Sequence, residues 1–178
     1  MIKRILILFA IAQILMMGYS QTPKWAEKAK KAVFSVVTYD TNDKILNTGN
    51  GFFISEKGVA ISDYALFKNA QRAVIITSEG EKMPVKAILG ANDMYDVVKF
   101  SVDITSKKVA NLTLSETPMT EGTKLWLLPY STQKVRSLTS GNVNSVDKIS
   151  DYAYYTINLP LKEKMVSCPL MNDEGLVV

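Results

Sequence analysis

An all-β fold is predicted for this chain from three observations. Its apolar runs are short and rich in β-branched and aromatic residues. They recur at spacings of about ten residues, separated by Gly, Asp, Asn, Ser or paired Lys. No long segment of helical period lies between them. Short strands in succession without long helices indicate an antiparallel barrel or sandwich.

The elements follow in order. Thr22 and Pro23 read as a helix start, an N-cap hydroxyl followed by a residue whose fixed φ suits the first turn. Trp25, Ala29 and Val33 then share one face, and Glu27 and Lys31 are spaced as an i, i+4 pair on the wet side. Strands are expected at residues 33–39, 44–49, 50–55, 58–62, 73–78, 85–90, 97–102, 124–130, 133–146 and 152–159. The polar stretches Ser106-Lys107-Lys108 and SETPMTEGT (115–123) split them into two groups, giving two β-subdomains. No internal sequence repeat or low-complexity tract is present. Leu176, Val177 and Val178 read as the middle of a strand, so the second subdomain is expected to be incomplete, its terminal strands lying beyond them.

Composition narrows the function. Lys3 and Arg4 precede an apolar run from Ile5 to Met17, followed by Gly18 and Ser20. That is the layout of a secretory signal peptide over residues 1–20, too short to be a membrane span, and it predicts an exported mature chain of residues 21–178. Losing Lys3 and Arg4 lowers the net charge from +4 to +2. No basic patch alternates with aromatics, so nucleic-acid binding is not expected. The lone Cys168 cannot form an internal disulfide, so an ordinary core must hold the chain, which fits a bacterial periplasm or cell surface. The sequon at Asn111 reads as a surface turn. The chain has no histidine, which removes the commonest general base and the commonest zinc ligand. No carboxylates cluster with Cys168 at ligand spacing, so neither a metal nor a cofactor is expected.

Four segments, in order, resemble the chymotrypsin-like (trypsin-like) serine proteases, most closely their HtrA-like bacterial branch. GNGFFISEKGVAISDYALF (49–67) resembles Gly-x-Gly-Phe followed by a turn and Thr-Asn-x-His-Val-Val. DMYDVVKFSV (93–102) resembles the strand entry that carries the triad aspartate. GTKLWLLPYS (122–131) and TSGNVNSVD (139–147) resemble two strands of the second barrel. INLPLKEKMVSCPLMNDEGLVV (157–178) resembles the nucleophile segment Gly-Asn-Ser-Gly-Gly-Pro-Leu and its sequel. The resemblance implies a double β-barrel of two antiparallel Greek-key barrels, the first over about residues 33–105. The second, over about 120–178, would be truncated at the C-terminus, with a short helix ahead of both.

Carried over position by position, the family's catalytic residues are mostly replaced. The histidine falls on Ala65, the nucleophilic serine on Val166 and the oxyanion-hole glycine on Lys164; Asp96 alone matches. A serine attacks only when an imidazole can take its proton and return it to the leaving amine. Loss of either group alone removes about 10⁶-fold in turnover where it has been measured. Ala65 and Val166 supply neither group, so the resemblance implies a trypsin-fold protein without proteolysis, acting as a binding or scaffold domain. Two other readings stay open. In one, an active serine-type endopeptidase uses Ser167 with Lys162 or Lys164, or Cys168, as an atypical nucleophile. In the other, the domain holds extended peptide segments near Tyr64, Lys164 and Val166. Registering on Pro169 places Ser167 and Cys168 where glycines are expected, as small residues filling a tight loop, and Asp96 is expected to bond nearby backbone. Trp126 and Tyr152, Tyr154 and Tyr155 are expected in the core and at its rim.

Overall fold

The computed structural model describes residues 22–105, 107–130, 138–149, 152–161 and 165–178. The expected signal peptide, the first residues of the strand expected at 133–146, and Lys162 and Lys164 lie outside the described residues.

The chain enters through α1 (Ala26–Ala32), whose buried face is made of alanines alone, Ala26, Ala29 and Ala32. Their small side chains let the helix lie close against the sheets. Its N-cap is Trp25, not Thr22, and carries no side-chain cap. The reason is local: the Ala26 N–H donates to the Pro23 carbonyl at 3.0 Å, so residues 23–26 form a turn before the helix. Glu27 pairs with Lys30 rather than with Lys31. Val33, expected on the helix face, instead begins the first strand, fully buried.

Six strands close a barrel: β1 (Val33–Tyr39), β2 (Ile45–Phe53), β3 (Val59–Asp63), β4 (Arg72–Ile76), β5 (Lys82–Asn92) and β6 (Val97–Val102), in the order β1-β2-β3-β6-β5-β4. Neighbours are antiparallel throughout. The segments 44–49 and 50–55, expected as two strands, are the single strand β2. Gly49 and Gly51 are sites of close approach, not breaks: a Cβ on Gly51 would lie 2.6 Å from the Phe34 ring. Phe34 fills the barrel with Phe53 and Phe100, at ring-centroid distances of 4.7 and 6.3 Å. Val36, Ala60, Ile75 and Val98 complete this apolar interior.

The second unit is a curled half-barrel of β7 (Lys124–Leu127), β8 (Thr139–Ile149), β9 (Tyr152–Asn158) and β10 (Leu170–Met171), ordered β10-β7-β8-β9. The order β4-β1-β2-β3 of the first barrel is the same winding, so the architecture repeats where the sequence does not. The short β10 was not expected from the sequence. Val177 adds one antiparallel bridge to Met171 rather than a strand.

A second core lies between the two units. It joins Ala29 and Ala32 of α1, Val33 and Phe52 of the barrel, Leu112 of the connector, and Trp126, Leu128 and Met171 of the half-barrel. Trp126 is therefore a core residue, as expected. Tyr152 and Tyr154 lie at the rim, 54% and 47% exposed on the outward face of β9, whose other face carries the half-buried Tyr155 and Ile157. A clasp closes the inter-unit core. Trp25 Nε1 donates to the Asp173 carbonyl at 2.9 Å and Trp126 Nε1 donates to the Asp173 carboxylate at 2.6 Å. The two indoles meet edge-on at 6.5 Å. Gly175 turns the chain beneath Trp25 with φ +82°, and a Cβ there would lie 2.5 Å from the indole. Gly175→Ala should therefore lower stability by about 2 kcal/mol, from the left-handed backbone and the displaced ring together. Urea denaturation followed by tryptophan fluorescence measures it; an unchanged midpoint would show that the clasp yields freely.

Candidate active site

The structure brings three of the carried-over positions to the edge where the two units meet. β3 ends at Asp63 and passes into a 3₁₀ turn, Tyr64–Phe67, that holds Ala65. Asp96 precedes β6 with φ +51°, a left-handed conformation that aspartate tolerates better than most residues. Its carboxylate accepts the Ala65 N–H at 2.6 Å, and its carbonyl accepts the Tyr64 N–H at 3.1 Å. The matched aspartate thus stands beside the position expected for the base. With alanine there, it caps the backbone of the turn instead of orienting an imidazole.

The second face is the turn at Val166. Val166 is 54% exposed, so its isopropyl group stands outward at the tip. Its carbonyl accepts from Asn50 Nδ2 at 2.6 Å, while Asn50 Oδ1 accepts the Tyr130 N–H at 3.3 Å. Asn50 is nearly fully buried on β2, and its own carbonyl takes a 2.6 Å bond from Ser62 Oγ. One side-chain amide from the first barrel therefore fixes both the nucleophile turn and the end of β7. Lys164, at the oxyanion-hole position, lies outside the described residues.

Ser167 has φ +62°, the conformation a glycine would take at low cost, in keeping with the glycine expected there. Its hydroxyl is buried and makes no hydrogen bond of ordinary geometry. The nearby Asp63 carboxyl is raised above the usual aspartate range, first by burial; the facing Ser167 side chain draws it down, and the negative charge of Asp96 raises it further. Cys168 is half-buried, its Sγ 3.9 Å from the Val166 carbonyl. Burial pushes its thiol up to about 12, the Asp63 charge adding to this and a hydrogen bond with the Tyr130 backbone opposing it. Neither side chain presents an accessible, activated nucleophile.

Asp63, Asn50 and Tyr130 were not singled out in the sequence. Asp63 left a usable signal, because it occupies the asparagine position of the Thr-Asn-x-His pattern with a carboxylate. Asn50 left none: its role depends on a turn more than a hundred residues away. Among the described residues no group of three or more metal-ligating side chains is present, and no helix is long and apolar enough to cross a membrane.

Two outcomes follow from these environments. At pH 8 a thiol pushed up to about 12 holds roughly 10³-fold less thiolate than one at the ordinary value of 9.0. Cys168 in the folded protein should therefore react with a disulfide reagent at a small fraction of its rate in urea; equal rates would mean the turn opens freely. A raised Asp63 means that the folded state holds its proton to higher pH than the unfolded state does. Its contribution is fully favourable below the unfolded value and is lost as pH rises through the folded one. Asp63→Asn should raise the urea midpoint at neutral pH and leave it little changed under acid conditions, the opposite of the response of a stabilising ion pair.

No curated protein matches the chain significantly. The family described as the trypsin-like peptidase domain matches residues 49–178, a span containing every strand of both sheets except β1 and the start of β2. With a match of that extent over the elements that build the cleft, the chain belongs to the trypsin-like peptidase domain family.

Proposed function

We propose that this is an exported, HtrA-like bacterial member of the family that has lost proteolysis and acts in the periplasm or at the cell surface through binding, as a scaffold domain. One observation carries the reading: the Asp96 carboxylate is bonded to the Ala65 backbone amide, in the corner where a triad would place its imidazole. A carboxylate orients a base only when a base is present, and among the described residues the other titratable group at this corner, Asp63, faces the buried hydroxyl of Ser167 and not an exposed one. The exposed isopropyl group of Val166 adds to this, since it occupies the tip where a reactive hydroxyl is needed.

The alternative, an active endopeptidase with an atypical nucleophile, has less support. Ser167 would have to attack through a hydroxyl that is buried, and Cys168 through a thiol held protonated at neutral pH. The partner reading extends the proposal: an extended peptide or protein segment could lie along the empty cleft without being cut.

A fluorophosphonate probe tests the main point on the mature protein. No covalent labelling is expected at any serine, and Ser167→Ala or Cys168→Ala should leave background peptide hydrolysis unchanged. Labelling at Ser167, or cleavage abolished by either substitution, would overturn the proposal.

A further inference from the structure

A second surface, meeting the cleft only at Phe67 of the 3₁₀ turn, has the form of a peptide slot. β4 and β5 pair at three positions only, Val74 with Pro84, Ile75 with Met83 and Ile76 with Lys82. Past Pro84 the strands part. β4 starts at Arg72, where its pairing is with β1, while β5 runs on to Asn92 paired with β6 alone. From Val85 onward the edge of β5 turned away from β6 therefore has no strand beside it among the described residues. β-Bulges between Val85 and Ala87 and between Ile88 and Gly90 bend this edge away from β4.

The fork holds a cavity of about 270 Å³. Phe67, Ala73, Val85 and Ile88 form its apolar lining, and Ile88 is half-exposed within it. The volume is at the lower limit for a small-molecule pocket, about 300 Å³, and suits one anchoring side chain rather than a larger ligand. Among the described residues the charged lining residues are Arg72 and Lys86, and no carboxylate lines the slot. The Arg72 guanidinium is held in place, its Nε 2.7 Å from Asp43 and its carbon 3.6 Å from the centroid of the Tyr39 ring. Lys86 forms no ion pair among the described residues.

We propose that this fork docks an extended, acidic segment of a partner protein. Free backbone groups on β5 would take up the segment as a short added strand, which requires an extended ligand. The apolar lining takes one large side chain between them. Lys86, which has no ion-pair partner among the described residues, selects carboxylates beside that anchor and disfavours basic segments, while Arg72 is already paired with Asp43 at the end of the slot. The bulges keep the ladder short, so affinity depends on the anchor and the charges together. The site is independent of whether the cleft cuts peptide bonds.

The test uses two fluorescein-labelled decapeptides, one alternating glutamate with leucine and valine, the other identical with lysine for glutamate. Binding to the mature protein is followed by fluorescence anisotropy. The acidic peptide should bind with a dissociation constant on the order of 10–100 μM, and the lysine peptide at least about tenfold more weakly. Lys86→Glu, a change at an exposed position, should reverse that order without altering the circular dichroism spectrum. Absence of saturable binding of the acidic peptide up to about 1 mM, or an affinity unchanged by Lys86→Glu, would overturn the proposal.

Discussion

The apolar layer between the two units is the constraint on which the rest depends. A four-stranded sheet presents an inner face that water would otherwise reach, and here that face carries Trp126, Leu128 and Met171, all buried. The first barrel contributes Val33 and Phe52 to the layer, and the helix contributes only alanines. An alanine face costs little side-chain entropy and allows close approach, so α1 can wedge against both sheets. The Trp25–Asp173–Trp126 clasp then ties the start of the described chain to the turn before Gly175. Without this layer the two sheets would share no fixed geometry, and residues drawn from both could not form one site.

Asn50 transfers that geometry to the cleft. A buried primary amide must satisfy its donors and its acceptor, or each unpaired group carries a cost of about 1–3 kcal/mol. Asn50 meets the requirement across the unit boundary, to Val166 on one side and Tyr130 on the other. The turn it secures is not relaxed. Ser167 occupies a left-handed conformation and buries a hydroxyl that only faces the Asp63 carboxyl without a bond of ordinary geometry, two costs that a glycine would avoid. They persist because the turn is fixed at both ends, by Asn50 at Val166 and by the β10 pairing with β7 just after Pro169.

The sequence made the fold legible, because β-strand patterning is local and the family resemblance supplied the order of the strands. It failed where one residue type can play two roles. Gly49 and Gly51 resemble a strand break but serve as close contacts under Leu66 and Phe34. Thr22 resembles a cap, yet the turn at Pro23 moves the helix start to Trp25 and beyond. The tyrosines of β9 divide between its two faces, Tyr155 half-buried and Tyr152 and Tyr154 outward, a choice of face that periodicity does not reveal. At the cleft, the replacement of residues was readable position by position. The contacts that fill the space were not, since Asn50 and Val166 meet only through the tertiary fold.

Asp96 shows how a residue of this frame is held by backbone contacts alone. In a working triad the aspartate is useful only through the imidazole that it orients. Here its carboxylate bonds the Ala65 amide and its carbonyl bonds the Tyr64 amide, so it stabilises the turn directly. The residue has a structural role that does not require a histidine. Asn50 is comparable: its bonds are to the backbone of Val166 and Tyr130, and they are indifferent to the side chain at the tip of the turn. Backbone contacts of this kind leave the cleft's shape independent of its reactive groups. Ala65 and Val166 can therefore stand at the carried-over positions while the backbone around them is held by Asp96 and Asn50.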